Sequence, residues 1–511
     1  MKIALIADAH LSDLEQTPQE SALNWAIESL SEACPDAALW LGDMTACGSP
    51  DAALRLDRKI SSLPFPSAIV PGNSDLRTEA TAPMLERFLF NYPEGLSVGD
   101  IHIVGFDNAH DCILPEERER LSRLKTGDRI LLFSHEPAKY MDADSVEFLR
   151  RWAEDRSARG QRILLWASGH RHHYEVSSWE GIPIVSVRAL DPDKCRGGEA
   201  QICLWDSDSG EFDELCYPSD PLTEWSEEER HELADSLGIT CYSRSKVERD
   251  MPFAIEHGVK HLEWRKIKEG ELALIEQWRR AGGKTFSLHM SALDYKDGVI
   301  GTEELVGSAL DAVRAGADMI TVHPPQIPYG QMKIGLPAFE ATADAMAEAF
   351  LPVVAAGIDI LVENNHTDHD TPNVPDLIPY GCTPIDIVGW RNALNERLGK
   401  GACHLRLDVG HARNNMPLSE PYPIGKWFAS IGSEARAYHL HQTAHDKVSG
   451  HMTNHHPILG WHNGFVAFDG FLGAWRNGTL HRGPIILEIR EGEGAPASWL
   501  RLQSLLLERD L

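Results

Sequence analysis

A chain of 511 residues leaves room for roughly two to four domains of ~100–200 residues each, and its 42% hydrophobic and 24% charged content excludes collagen-like or wholly disordered chains. Acidic residues outnumber basic ones 77 to 48, and the formal net charge of -29 disfavours extended binding to a nucleic acid. No apolar run approaches the ~18–20 residues of a membrane helix. The start MKIALIADAHLSD lacks a signal peptide's apolar stretch, and nine scattered Cys form no CxxC pair, so the expected compartment is the reducing cytoplasm.

Over the first ~216 residues, short apolar runs bounded by Gly, Pro, Asp or His alternate with helical segments. The predicted strands are 2–7, 37–41, 68–70, 101–106, 130–133, 163–166 and 182–187, closed by a hairpin of 201–205 and 211–217 around the turn residues Asp206 to Gly210. The first domain is therefore placed at 1–217. A Pro-bearing acidic stretch, 218–235, reads as a linker ending in a short exposed helix.

From 236 to 511 the pattern becomes long helix, Gly, strand, with a metal-capable side chain closing many of the strands. Eight strands are predicted at 238–241, 261–264, 285–289, 319–323, 360–363, 405–408, 437–441 and 484–488. Eight αβ units of this length predict an α/β fold of the (β/α)8 barrel type, whose functional side chains stand at strand C-terminal ends. That end carries His289, His323, Glu363, Asp408, His441 and Glu488.

In the first domain, Asp8-Ala-His10, Gly42-Asp43, Gly72-Asn73, His135 and Gly169-His170-Arg-His172 each follow a predicted strand. Hard carboxylates and an amide beside imidazoles suit two ions of the Mn²⁺, Fe or Zn²⁺ class if Asp43 bridges them. A lone Gly-Asp is usually a turn and a lone His usually structural; five such motifs in order are not. The segment resembles the calcineurin-like metallophosphoesterases. The resemblance implies a four-layer αββα fold, with Asp8, His10, Asp43 and His172 on one metal and Asp43, Asn73, His135 and His170 on the other. Asp43, Asn73 and His135 are then also the catalytic candidates. Where many members follow Asn with a proton-donating His, this chain has Ser74, which favours substrates with good leaving groups.

In the barrel, Glu363, Asp408, His441 and Glu488 make a carboxylate-rich set suited to one or more Mn²⁺, Zn²⁺ or Co²⁺ ions. The stretches Thr321-Val-His323-Pro-Pro, Leu361-Val-Glu363-Asn, Leu407-Asp408-Val-Gly-His411, Tyr438-His-Leu-His441 and Leu487-Glu488 resemble the xylose isomerase-like family of sugar isomerases, epimerases and apurinic endonucleases. For the epimerase branch the resemblance implies Glu363 and Glu488 as ligands and acid–base pair, with His411 holding substrate oxygens. For the endonuclease branch it implies a trinuclear site that also uses His289 and His323. The late loop, Thr453-Asn-His455-His456, offers His455 but no Asp two residues earlier, which argues against that site. Glu263, Trp264, Arg265, His445 and Lys447 are candidate sugar or phosphate contacts, against the ordinary alternative of a solvated rim.

These readings converge on a bifunctional metalloenzyme: a phosphoesterase joined to a sugar-phosphate isomerase or epimerase, acting on a small phosphorylated substrate without nucleic acid or membrane. Self-association is left open. The alternatives are a repair phosphodiesterase, and a binding or scaffold protein with one decayed metal site.

Overall fold

The computed structural model describes residues 1–511 except 16, 79, 218–221, 223–224, 242–243, 269, 297, 368–370, 372–373, 420, 446–450, 461–465, 467, 491–493 and 508–511. The chain divides into two compact units, Met1–Ser219 and Asp220–Leu511.

Two sheets form the first unit. One has five strands, with Lys2–Ile6 at its centre between Ala37–Trp40 (parallel) and Gln201–Asp206 (antiparallel). The other has six, running from Leu96–Val98 to the edge strand Glu175–Trp179. Alternation along the strands sorts the core into layers. Ile3 and Leu5 pack with Ile103, Leu131 and Phe133 of the facing sheet, whereas Ala4 and Ile6 pack with Leu23, Ala26 and Leu30 of the helix behind. Val104, Ile130 and Leu132 bury the outer face of the second sheet against Leu149 and Trp152. The order helix, sheet, sheet, helix is the expected four-layer arrangement. Helix starts follow from local chemistry: Thr17 Oγ1 accepts from Glu20 N (3.2 Å) ahead of Pro18, and Asp142 accepts from Ser145 N (2.6 Å).

The second unit is a closed, parallel, eight-stranded barrel in which each strand predicted from the sequence is present, from Leu237–Cys241 to Ile485–Leu487. Its helices cover it with one large apolar core, including Trp264, Trp278, Trp390, Trp427 and Trp475.

The linker reading of 218–235 is corrected in its second half. Leu222 and Trp225 are buried in the barrel core, and helix Glu227–Ser236 starts at a capping box in which Ser226 and Glu229 bond reciprocally. Leu233 and Ala234 of that helix are buried, and Gln503 Nε2 donates to Ala234 O (2.7 Å), so it is part of the barrel rather than an exposed connector. Among the described residues no helix is long and apolar enough to cross a membrane.

Candidate metal centres

In the first unit the candidate ligands sit just beyond the strand ends, where the backbone turns sharply. Asp8, His10, Asp43, His170 and His172 all have positive φ, between 45° and 67°. Five non-glycine residues in that costly region within one site mark strain held in place by the surrounding fold. Backbone bonds supply the support: Asp8 N donates to Gly42 O and His10 N to Asp43 O, each at 3.0 Å. Gly72 is required here, because a Cβ on it would lie 2.3 Å from Asp43 Oδ1.

The carboxylate of Asp43 faces two groups of donors. Its Oδ2 is 3.8 Å from His10 Nε2, which lies 3.3 Å from His172 Nε2, and His172 Nε2 is 3.6 Å from Asp8 Oδ1. Its Oδ1 is 3.5 Å from His135 Nε2, which lies 3.0 Å from Asn73 Oδ1 and 3.2 Å from His170 Nδ1. Asp8, His10, Asp43 and His172 each present one ligand atom within 4.8 Å of the others. Ser74 clamps Asp43, its N–H donating to Oδ1 (2.8 Å) and its hydroxyl to Oδ2 (2.9 Å). Burial raises Asp8 to about 8 and holds His10 well below the usual imidazole range. Burial also opposes charge on His135, but Asp43 and Asp8 more than offset it and its pKa is raised. Mixed oxygen and imidazole donors in two groups sharing one carboxylate fit two divalent ions.

In the barrel, three groups form, two of them sharing Glu363. Glu363, Asp408, His439 and Glu488 make one; His289, His323 and Glu363 another; His411, His441 and His455 a third. The structure thus gathers Glu363, Asp408, His411, His441, Glu488, His289, His323 and His455 at one end of the barrel, and Lys447 lies outside the described residues. It sorts them differently from the sequence reading, however. The nitrogen among the carboxylates is His439, whose Nδ1 is 2.7 Å from Glu363 Oε1 and 2.9 Å from Glu488 Oε2, whereas His441 sits between Asp408 (3.1 Å) and the His411–His455 pair. Glu363 Oε2 turns to His289 and His323, at 3.5 and 3.6 Å.

Local structure explains the placement. Asp408 ends its strand and caps the following turn, accepting from His411 N at 2.7 Å and so folding His411 back over the site. His455 N donates to His441 Nδ1 at 3.0 Å, pinning the late hairpin onto the strand end. His411 Nε2, a buried atom, has no hydrogen-bond partner among the described residues, as a nitrogen prepared for an ion would not. Burial would raise both glutamates, yet His439 and His323 hold Glu363 well below the usual range, while Glu488, lowered less by Arg490 than burial raises it, stands at about 7.

His439 and Arg406 were not singled out from the sequence, although the alternation of a strand puts His439 and His441 on one face. Glu263 and Trp264 are corrected as mouth contacts. Trp264 is buried in the outer core, and Glu263 is 1% exposed inside the barrel, ion-paired with Arg406. The side chain of His445 is not among those described.

No curated protein matches the chain. Among solved structures, the barrel half resembles a D-tagatose 3-epimerase-like protein (16% identity, 53% of this chain, 96% of that one, TM-score 0.38). It also resembles L-ribulose 3-epimerase (14%, 53% and 94%, TM-score 0.38) and a xylose isomerase-like TIM barrel protein from Mycobacterium smegmatis (16%, 52% and 89%, TM-score 0.34). Residues 1–174 match the family model for calcineurin-like phosphoesterases, which makes the first unit a metallophosphoesterase domain joined to an eight-stranded parallel barrel.

Proposed function

We propose that the chain is a bifunctional metalloenzyme in which the first unit hydrolyses phosphate esters and the barrel moves a proton beside a carbonyl of a small sugar or sugar phosphate. The phosphoesterase reading is carried by Asp43, whose two carboxylate oxygens face separate donor groups. Ions held there would polarise the phosphoryl oxygens and activate water, with Mn²⁺, Fe and Zn²⁺ matching the donor chemistry. The chain's own part is to hold Asp43 rigid through Ser74 and Gly72 and to keep His10 neutral by burial. Ser74 is occupied with Asp43 and offers no imidazole to a departing alkoxide, so aryl esters and other acidic leaving groups should be preferred.

For the barrel, Glu363 and Glu488 flank one site and their acidities are pushed apart, which supports one as a carboxylate base and the other as a proton carrier near neutrality. Mn²⁺, Zn²⁺ or Co²⁺ on this set would stabilise the developing enolate. A second reading, hydrolysis of a phosphodiester, gains support from the three ligand groups gathered at one barrel end, in which His441 stands beside His411 and His455, although no Asp lies two residues before His455. The charge of -29 still favours a small substrate over duplex DNA.

Both readings are tested on purified, metal-loaded protein by assaying aryl and alkyl phosphates, deuterium exchange into ketose phosphates, and incision of abasic duplex DNA. Exchange lost in Glu363→Gln supports the first; incision lost in Glu363→Gln but kept in Asp43→Asn replaces it with the second.

A further inference from the structure

Beneath the carboxylates of the barrel site lies a polar network sealed from water. Arg406 is 0% exposed, Glu263 1% and His439 0%. Arg406 Nη1 pairs with Glu263 Oε2, the same oxygen that accepts from Ser287 Oγ and Thr321 Oγ1, each at 2.7 Å. The other oxygen, Oε1, lies 2.7 Å from His439 Nε2, and the far nitrogen of that ring, Nδ1, faces Glu363 and Glu488. A buried charge of this kind is expensive unless every partner is in place. Four strands supply those partners, at Glu263, Ser287, Thr321 and Arg406, and a fifth supplies His439.

We infer that Glu263 is a positioning residue that fixes His439 in the tautomer able to present Nδ1 as a metal ligand. The inference rests on the reading of the barrel as a metal site. A ring that gives the Nδ1 lone pair to a cation must carry its proton on Nε2. A carboxylate oxygen only accepts, so Glu263 Oε1 is the partner for that proton. Arg406 only donates; its Nη1 lies 2.6 Å from His439 Nε2 and would favour the opposite tautomer if Glu263 did not hold its charge. The hydroxyls of Ser287 and Thr321 keep Glu263 Oε2 turned to Arg406 and Oε1 to the ring. Carboxylate, imidazole and metal thus line up, with the whole support dry and rigid.

The test is titration of the full chain with Mn²⁺ or Zn²⁺, counting ions bound and their affinity, with the denaturant midpoint of the barrel's unfolding as the control for a folded barrel and aryl-phosphate hydrolysis as the control for the first unit. Glu263→Gln keeps the shape but can donate its amide to Nε2, which moves the proton to Nδ1. It should weaken the barrel's ion by about 10- to 100-fold, the range for loss of a ligand's carboxylate partner, and Glu263→Asp should recover part of that loss. Thr321→Val, isosteric and removing one donor, should give a smaller loss of the same kind if Glu263→Gln fails to fold. Glu363→Gln separates the two levels. If it releases no ion relative to wild type, the barrel is not a metal site; if it releases one while Glu263→Gln and Thr321→Val bind as wild type, the positioning role of Glu263 is wrong.

Discussion

The two candidate centres use similar donors but are built in opposite ways. In the first unit the ligands stand past the strand ends, on a backbone forced into the left-handed region at Asp8, His10, Asp43, His170 and His172. In the barrel, Glu363, Asp408 and His439 lie within regular strands, and among that site's ligands His455 alone has a positive φ. One site is held by loop strain that a surrounding framework sustains; the other is held by strand alternation and a buried network below it. The difference predicts where each will break.

The largest effect is expected at the shared carboxylate. Asp43→Asn removes the charge that faces both donor groups, and should abolish hydrolysis of aryl phosphates and lower the metal content of the protein, leaving the barrel's ions in place. Wild-type hydrolysis with unchanged metal content would refute the bridge. The matching change in the barrel, Glu363→Gln, touches two of the three ligand groups through its two oxygens. It should eliminate exchange of a carbonyl-adjacent proton while hydrolysis by the first unit persists. Loss of both activities together would show that the sites are not independent.

A subtler pair of variants compares how the two sites use glycine. A Cβ at Gly72 would lie 2.2 Å from Asp43 N and 2.3 Å from its Oδ1, and a Cβ at Gly410 would lie 2.0 Å from His441 Cε1. Each alanine must displace a ligand by around an ångström, a misplacement that costs about 100-fold in rate. Gly72→Ala should therefore lower only phosphate-ester hydrolysis, and Gly410→Ala only the barrel's reaction. Kinetics on the two substrate classes check both. A Gly72→Ala enzyme with normal kcat would mean that Asp43 can shift without consequence.

This contrast also explains what the sequence could reveal. The first site was legible because positive φ at Gly42, Asp43 and His170, and close packing that leaves no room for a Cβ at Gly72 and Gly169, impose Gly42-Asp43, Gly72-Asn73 and Gly169-His170, short signals that survive without three-dimensional context. The barrel's strands were legible from apolar runs after helix-ending glycines such as Gly316 and Gly357. Missed were elements without apolar alternation: the edge strand Glu175–Trp179, whose Ser177 and Ser178 are exposed, and the hairpin strands Gln442–His445 and Met452–His456. The acidic run after Pro218 hid Leu222 and Trp225, two apolar residues too sparse to mark a core segment. Arg406 was invisible for a physical reason: a charged residue in a strand ordinarily faces solvent, and only the closed barrel brings Glu263 from four strands away to neutralise it.

The smallest effect separates glycines that build a site from those that merely occupy a helix. Gly307 lies inside helix Glu303–Ala315 on its exposed face, and a Cβ there would meet nothing within 4 Å. Its φ is not among the positive values, so alanine fits the existing backbone without strain. Glycine in a helix interior costs about 0.5–1 kcal/mol relative to alanine, because the unfolded chain gains freedom that folding must remove. Gly307→Ala should accordingly stabilise the barrel by about that amount, seen as a higher denaturant midpoint for its unfolding, with metal binding and both activities unchanged. A loss of barrel activity in this variant would mean that the helix face is coupled to the site, and that the barrel centre, like the first, depends on loops and helices outside its strands.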